Sequence, residues 1–250
     1  MTQARAYKTR GVVLRARDLG EADRIVTLFT TEYGKLDAVA KGVRRAKSHL
    51  GGRMEFANEI AMTMHRGRNL DVIVSAELVT AHWQGIVVPA AFAGANVVAE
   101  IVATLCEPEL PLPDVYALLT GAIAAIAGSS DPIALLPRFE MRLLDALGVA
   151  PPTNACVRCG QRLDDYAWVD VENGGFAGAE CRERWREVVE LDALDLANVR
   201  GLAAARGGGA ALLARPRVAT AIDLVVSHHL GRRPKSGGYA AEFAKPSLKR

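Results

Sequence analysis

Residues 11–40 read GVVLRARDLGEADRIVTLFTTEYGKLDAVA, and this stretch decides the fold. Val12 and Leu14 alternate before the turn-like Asp18-Leu19-Gly20. Ile25, Val26 and Leu28 form a short apolar run, Tyr33-Gly34-Lys35 breaks it, and Leu36, Ala38 and Ala40 resume at period two. Period two places alternate side chains on one face of a strand. The signature returns further along. Ile60, Met62 and Met64 alternate, Arg66-Gly67-Arg68-Asn69 turns, and Leu70, Val72 and Val74 complete a hairpin. Four or five short strands within about 80 residues suit a small β-barrel, and the OB-fold has that size and strand count. The pattern alone fits other small barrels equally.

One segment interrupts the strands. Lys41–Arg53, KGVRRAKSHLGGR, carries Lys41, Arg44, Arg45, Lys47, Arg53 and the titratable His49, with no acid. Its Gly51-Gly52 pair predicts a mobile loop. Cations of one sign repel one another, and phosphates that replace their counterions relieve this. Residues 1–70 hold 14 Lys/Arg against 7 acids, and residues 232–250 hold 6 against 1. The overall net charge is only +3, so the middle of the chain is acidic. Basic ends predict polyanion binding, and an acidic middle predicts protein partners.

At 250 residues, 50% apolar and 24% charged, the chain is long enough for two or three small domains and too ordinary in composition for disorder or a fibre. Four cysteines (Cys106, Cys156, Cys159, Cys181) do not make a disulfide scaffold at this length. No signal-peptide core follows MTQARAYKTR. The charge-free stretches 78–99 and 115–130 carry too many polar and breaking residues to span a membrane. The expected location is a reducing cytoplasm.

From about Pro89 the period changes to helical. Val97, Val98, Ile101, Val102 and Leu105 share a face, the segment EPELPLP (107–113) breaks the helix, and Val115–Ala127 is Ala-rich with Leu118, Leu119, Ala122, Ile123 and Ile126 inward. Asp131-Pro132 reads as a cap and first-turn proline. The following helix, through Phe139, Leu143, Leu144 and Leu147, stops at Gly148. Gly207-Gly208-Gly209 predicts a loop.

Cys156-Val157-Arg158-Cys159 is a C-x-x-C pair, and Cys181 follows 22 positions after Cys159. A zinc ribbon uses two such knuckles, because four soft ligands close a tetrahedron. Arg184 stands where the fourth cysteine is expected. Either another residue (His228, His229, Asp164 or Cys106) completes a zinc site, or the ribbon persists without metal, with Arg182, Arg184 and Arg186 supplying positive charge. The deaminase pattern, the Walker motif, the Gly-x-Ser-x-Gly elbow and the Gly-x-Gly-x-x-Gly fingerprint are all absent. His228-His229 point about 100° apart on a helix and suit its surface or end. The cations expected on phosphates are Arg24, Lys35, Lys41, Arg44, Arg45, Lys47 and Arg53, with Tyr33 or Phe56 as candidate base stackers. No base-edge reader is evident, which predicts little sequence preference.

Several stretches together resemble the RecO family of bacterial recombination-mediator proteins. GVVLR (11–15), LGEADRIVTLFT (19–30), GKL (34–36) and AKGVRR (40–45) are similar to its N-terminal OB-fold. FEMRLLDALG (139–148), Pro151 and CVRCG (156–160) are similar to its helical domain and zinc ribbon, and HLGRRPKS (229–236) to its tail. The resemblance implies a multidomain α+β protein. It would have an OB-fold barrel over 1–82, a helical domain over 83–150, a zinc-ribbon-like subdomain over 151–187, and a C-terminal helical part over 188–250 that packs with 83–150 and ends in a basic tail. It adds Arg232, Arg233 and Lys235 to the expected DNA contacts and Cys156, Cys159 and Cys181 as zinc ligands, a set that Arg184 puts in question.

The implied activity is non-enzymatic. Such a protein binds single- and double-stranded DNA, anneals complementary strands, associates with RecR, and helps RecA displace single-stranded-DNA-binding protein. The implied setting is the nucleoid in the cytoplasm, with no membrane contact. Two alternatives stay open: a general OB-fold module for RNA or DNA, and a thiol or metal enzyme built on the three clustered-motif cysteines.

Overall fold

The first strand is long because it serves two partners. In the computed structural model, which describes residues 5–82, 85–182, 189–204 and 213–244, β1 (Ala6–Leu19) runs for 14 residues. Its first half pairs antiparallel with β4 (Glu59–His65) and its second half with β2 (Asp23–Thr30). A register shift between Val13 and Arg15 bends it from one partner to the other. β2 pairs with β3 (Gly34–Ala40), β3 runs parallel to β5 (Asp71–Thr80), and β5 returns to β4. The order β1-β2-β3-β5-β4 closes into a barrel, as the sequence pattern predicts.

Inside lie Val13, Val26, Leu28, Ala38, Ala40, Ile60, Met62, Met64, Ile73 and Ala76. The prediction for β5 is wrong by one residue. Ile73 and Ala76 point inward, whereas Val74 is exposed. A second register shift, between Thr63 and Met64, sets that pairing, and a one-residue slip turns a strand's apolar set to its other face. The expected mobile loop is also anchored. Val43, Leu50 and Met54 join the barrel core, and Gly51–Met54 form a 3-10 turn. Each such burial contributes roughly 1.5–3 kcal/mol, which offsets the entropy of holding the intervening cations.

The chain divides into two compact units, Met1–Ser129 and Ser130–Arg250. The first unit adds α1 (Pro89–Leu105) and α2 (Pro113–Gly128) to the barrel, with α1 against both α2 and β1. Val97, Val98, Ile101 and Val102 are buried as their spacing predicts. The break between the helices is stitched to the barrel. Glu109 N–H donates to the Lys35 carbonyl at 2.9 Å, and Lys35 Nζ donates to the Ala103 carbonyl at 2.8 Å. Gly34 makes this close approach, with φ at +63° and with the Leu110 carbonyl where a Cβ would sit.

In the second unit the helix expected from Asp131-Pro132 starts later. A 3-10 turn over Ile133–Leu135 leads into α3 (Leu136–Ala146), with Pro137 in its first turn. It ends at Gly148 as expected, φ +73°, with Gly148 N–H donating to Asp145 and Val149 N–H to Leu144. β6 (Tyr166–Asp170), β7 (Gly175–Ala177) and β8 (Glu190–Asp192) form an antiparallel sheet in the order β7-β6-β8. α4 (Ala193–Ala204), α5 (Pro216–Leu230) and α3 pack together, and α6 (Lys235–Ala241) follows. Arg200 on α4 donates to the Thr153 and Leu163 carbonyls, which ties the helices to the cysteine-bearing loop. The Gly207–Gly209 loop lies outside the described residues.

Two predictions follow from this packing. Gly34→Ala meets both a left-handed backbone and the Leu110 carbonyl, whereas Gly20→Ala at φ +60° meets open space. Left-handed strain costs about 1–2 kcal/mol, so Gly34→Ala should lose clearly more stability in urea than Gly20→Ala, and equal losses would contradict the stitched geometry. Glu140, buried in α3, has its carboxyl pushed up to about 8 by burial and then by the Asp223 charge on α5. The folded state therefore keeps a proton that the unfolded chain releases, and stability falls as pH rises from about 4.5 through 8. Glu140→Gln should flatten that fall in a Tm-against-pH series, and parallel curves for the two proteins would refute it.

Candidate nucleic-acid interface and metal centre

The β1–β2 turn and the basic loop fold onto each other through one carboxylate. Asp18 accepts from Arg24 Nε at 3.0 Å and faces Arg44 at 3.4 Å. Arg44 also donates to the Gly20 carbonyl at 3.1 Å, and Arg24 lies 3.8 Å from Glu55. The pairs are partly exposed, where ion pairs are worth about 0–1 kcal/mol, so they hold these cations only weakly. Arg53 donates to the His49 carbonyl inside the loop. Lys41, Arg45 and Lys47 are exposed, with no side-chain partner among the described residues.

The ten expected DNA contacts thus separate. Arg24, Lys41, Arg44, Arg45, Lys47 and Arg53 gather at one end of the barrel. Lys35 does not join them, because its ammonium is held by the Ala103 carbonyl near the β2–β3 turn. Arg232, Arg233 and Lys235 belong to the second unit and are exposed, the two arginines in the connection from α5 to α6 and Lys235 at the start of α6. Of the two aromatic candidates, Phe56 packs edge-on against Phe92 with centroids 5.6 Å apart, which occupies it. Tyr33 packs against Tyr7, centroids 4.5 Å apart. Arg66, which the sequence reading treated only as part of a turn, lies over both rings. The Arg-Gly-Arg spelling of that turn was the available signal.

The three cysteines converge as the spacing predicts. The sulfurs of Cys156, Cys159 and Cys181 lie within 4.8 Å of one another. A tight turn builds the first knuckle: Cys156 N–H donates to the Gln161 carbonyl at 2.7 Å, and Gly160 N–H, at φ +76°, returns to the Cys156 carbonyl. Cys181 arrives on a 3-10 turn after β7, its N–H donating to the Gly178 carbonyl at 3.0 Å. Burial opposes ionisation of Cys156, but the backbone N–H groups of Gly178, Cys159 and Arg158 and the Cys159 thiol bring it down to about 7. Cys181 is pushed up to about 12 by its hydrogen bond with Cys159, by burial and by the Cys156 charge. Thiolates are the metal-binding form of cysteine, so the lowered pKa of Cys156 eases metal binding at this cluster.

The donor set suits a zinc-like ion, whose thiolates sit about 3.8 Å apart in a tetrahedron of 2.3 Å bonds. Among the described residues the cluster supplies three ligands of four. None of the proposed fourth ligands is in it. His228 Nδ1 lies 2.9 Å from the Val171 carbonyl, and Asp164 pairs with Arg162. His229 stacks edge-on against His228, and Cys106 lies in the other compact unit. Arg184 and Arg186 fall outside the described residues. Arg182 does not attend Cys181 alone, since its guanidinium lies 4.8 Å over the Trp168 ring. Among the described residues no helix is long and apolar enough to cross a membrane.

Comparisons with known proteins cover almost the same ground as the geometry. The family model "Recombination protein O N terminal" matches residues 1–82, and "Recombination protein O C terminal" matches residues 88–237. A protein of Bifidobacterium longum named "DNA repair protein RecO" is 41% identical over 172 residues, covering 68% of this chain and 71% of its own length. A Bifidobacterium adolescentis protein of the same name is 38% identical over 196 residues, covering 75% and 78%. Two family models that between them span the barrel, the helices and the cysteine cluster place the chain in the RecO, or recombination protein O, family.

Proposed function

We propose that this chain is a DNA-repair accessory protein that handles DNA by charge, without making or breaking bonds. It binds single- and double-stranded DNA with little regard for sequence and anneals complementary strands. With RecR as partner, it helps RecA load onto DNA covered by single-stranded-DNA-binding protein. The site of action is the nucleoid of a bacterial cytoplasm. The observation that carries this reading is the anchored loop. Val43, Leu50 and Met54 fix its backbone in the barrel core while Lys41, Arg45 and Lys47 stay exposed. A preorganised row of cations spends little entropy on meeting a phosphate chain and gains by counterion release. The domain limits expected from the sequence, 1–82, 83–150, 151–187 and 188–250, are retained as functional segments of this proposal.

The decisive assay is annealing of complementary oligonucleotides coated with single-stranded-DNA-binding protein. The full chain should accelerate it without nucleotide, and a rate equal to the spontaneous one would defeat the proposal. Lys41→Ala, Arg45→Ala and Lys47→Ala combined should lessen the log–log salt slope on single strands by about 2, at about 0.7 for each lost phosphate contact. An unchanged slope would remove the loop from the interface. Arg44 is left in place because it braces the β1–β2 turn.

Cys156, Cys159 and Cys181 would hold zinc in a structural role, clamping the C-x-x-C knuckle to the turn after β7. Added zinc should then raise the Tm, a chelator should reverse the rise, and Cys156→Ser should abolish it. A melting curve indifferent to zinc would contradict metal binding.

A further inference from the structure

The barrel end remote from the basic loop carries a second, chemically different cluster. Ala6 and Asp18 on β1 are separated by up to roughly 40 Å of strand, at about 3.3 Å per residue. At the Ala6 end the start of β1, the β2–β3 turn and the β4–β5 turn converge. The Tyr7 and Tyr33 rings meet with centroids 4.5 Å apart. The Arg66 guanidinium lies 4.9 Å over the Tyr7 ring and 5.9 Å from the Tyr33 centroid. Gly67 makes the turn that holds it there, because a Cβ would run into the Leu70 carbonyl. Arg66 and Arg68 flank that glycine, both exposed, and Arg66 N–H donates to the Arg5 carbonyl at 2.9 Å.

The charge at this end is not internally cancelled. Asp71 accepts from the Tyr7 hydroxyl at 2.5 Å and from Gly67 N–H at 3.0 Å. Glu32 accepts from the Thr9 and Thr31 hydroxyls, each at 2.5 Å. Neutral donors leave both carboxylates charged, but Arg5, Lys8, Arg10, Arg66 and Arg68 outnumber them, and among the described residues no ion pair engages Arg66. Lys8 and Arg10 lie along β1, where they line a shallow groove of mixed charge with Thr31, Thr63, Glu32 and Glu77.

A guanidinium lying on aromatic faces stays planar, with one face covered and the other offered to a second π-system. A nucleic-acid base fits that face, and stacking tolerates any base. Bases inside a duplex are already stacked, so only an unpaired strand offers one. The loop end differs. Residues 41–54 contain no Phe, Tyr or Trp, and cations alone neutralise single and double strands alike.

We propose that Arg66, seated on Tyr7 and Tyr33, is the centre of a second polynucleotide site that takes an unpaired base of single-stranded DNA, with Arg5, Lys8 and Arg68 on its phosphates. The proposal rests on the DNA-handling reading above and deepens it. One barrel end grips phosphate chains of any form, and the other holds a strand open for pairing.

The test uses the full chain and a 20-nucleotide thymidine oligomer carrying one 5-iododeoxyuridine, crosslinked by ultraviolet light and mapped by mass spectrometry. Crosslinks are expected in the turn that carries Arg66 (residues 65–68) or on the adjoining Tyr33 or Tyr7, and they should vanish when the oligomer is annealed to its complement. Arg66→Ala with Arg68→Ala should weaken single-strand binding at least about fivefold, the low end for losing one stacked base. The same change should weaken duplex binding clearly less, by the lost charge alone, and an unchanged Tm would report an intact fold. Arg66→Lys should keep the salt slope while lowering the crosslink yield. Crosslinks confined to other segments, or an equal loss on single and double strands, would overturn the second site while leaving the loop assignment standing. If the unmodified chain bound neither form, the DNA reading itself would fall, and this site with it.

Discussion

Closing five strands on themselves forces one strand to pair with two neighbours that diverge. β1 does this by bending at the register shift between Val13 and Arg15, so that Ala6–Val12 face β4 and Gly11–Leu19 face β2. The bend explains why Val12, Val13 and Leu14 are all buried, although a flat strand would expose the middle one or its neighbours. Val13 enters the barrel, while the strand's outer side is covered as α1 packs on β1. Closure also removes free sheet edges, which leaves the turns and the loop as the barrel's exposed backbone. The cations proposed to meet DNA gather at the two barrel ends.

The two ends use cations differently because their surroundings differ. At the β1–β2 end, Asp18 holds Arg24 and Arg44 close together, and the backbone is pinned by apolar anchors rather than by those ion pairs. A shared carboxylate keeps these two like charges near one another. At the other end aromatic rings replace the carboxylate as Arg66's neighbour. A quadrupole attracts a cation without neutralising it, so the charge remains available. The cysteine cluster in the second unit follows the same logic with a different element. Backbone N–H groups favour the thiolate of Cys156, the form in which cysteine binds a metal.

Much of this was legible in the residues. Period-two stretches around Val26, Ala38 and Met62 gave the barrel strands, and the C-x-x-C pair with Cys181 correctly foretold three converging sulfurs. The resemblance to the RecO family was carried by dispersed motifs, and the family models cover the same regions. What the residues did not reveal depends on long-range pairing. The inward face of β5 is set by a bulge at Val74, unpaired between the Thr63–Ser75 and Met64–Ile73 pairs, so Val72 and Val74 misled. Lys35 looked like one more free cation because its carbonyl acceptor, Ala103, is 68 positions away. The loop's glycines suggested mobility, and Val43, Leu50 and Met54 were too widely spaced to read as anchors. Arg66 shares its rings with residues 59 and 33 positions distant, which no local pattern displays.

The central claim is that this protein recognises nucleic acid by charge and shape rather than by base identity. Its most direct measurement is the affinity of the full chain for several single-stranded oligonucleotides of equal length and unrelated sequence, each titrated over a range of monovalent salt. The account predicts nearly superimposed straight log–log lines with a common slope near −3.5, the value for about five phosphate contacts. Affinities scattered by sequence, or binding indifferent to salt, would contradict it.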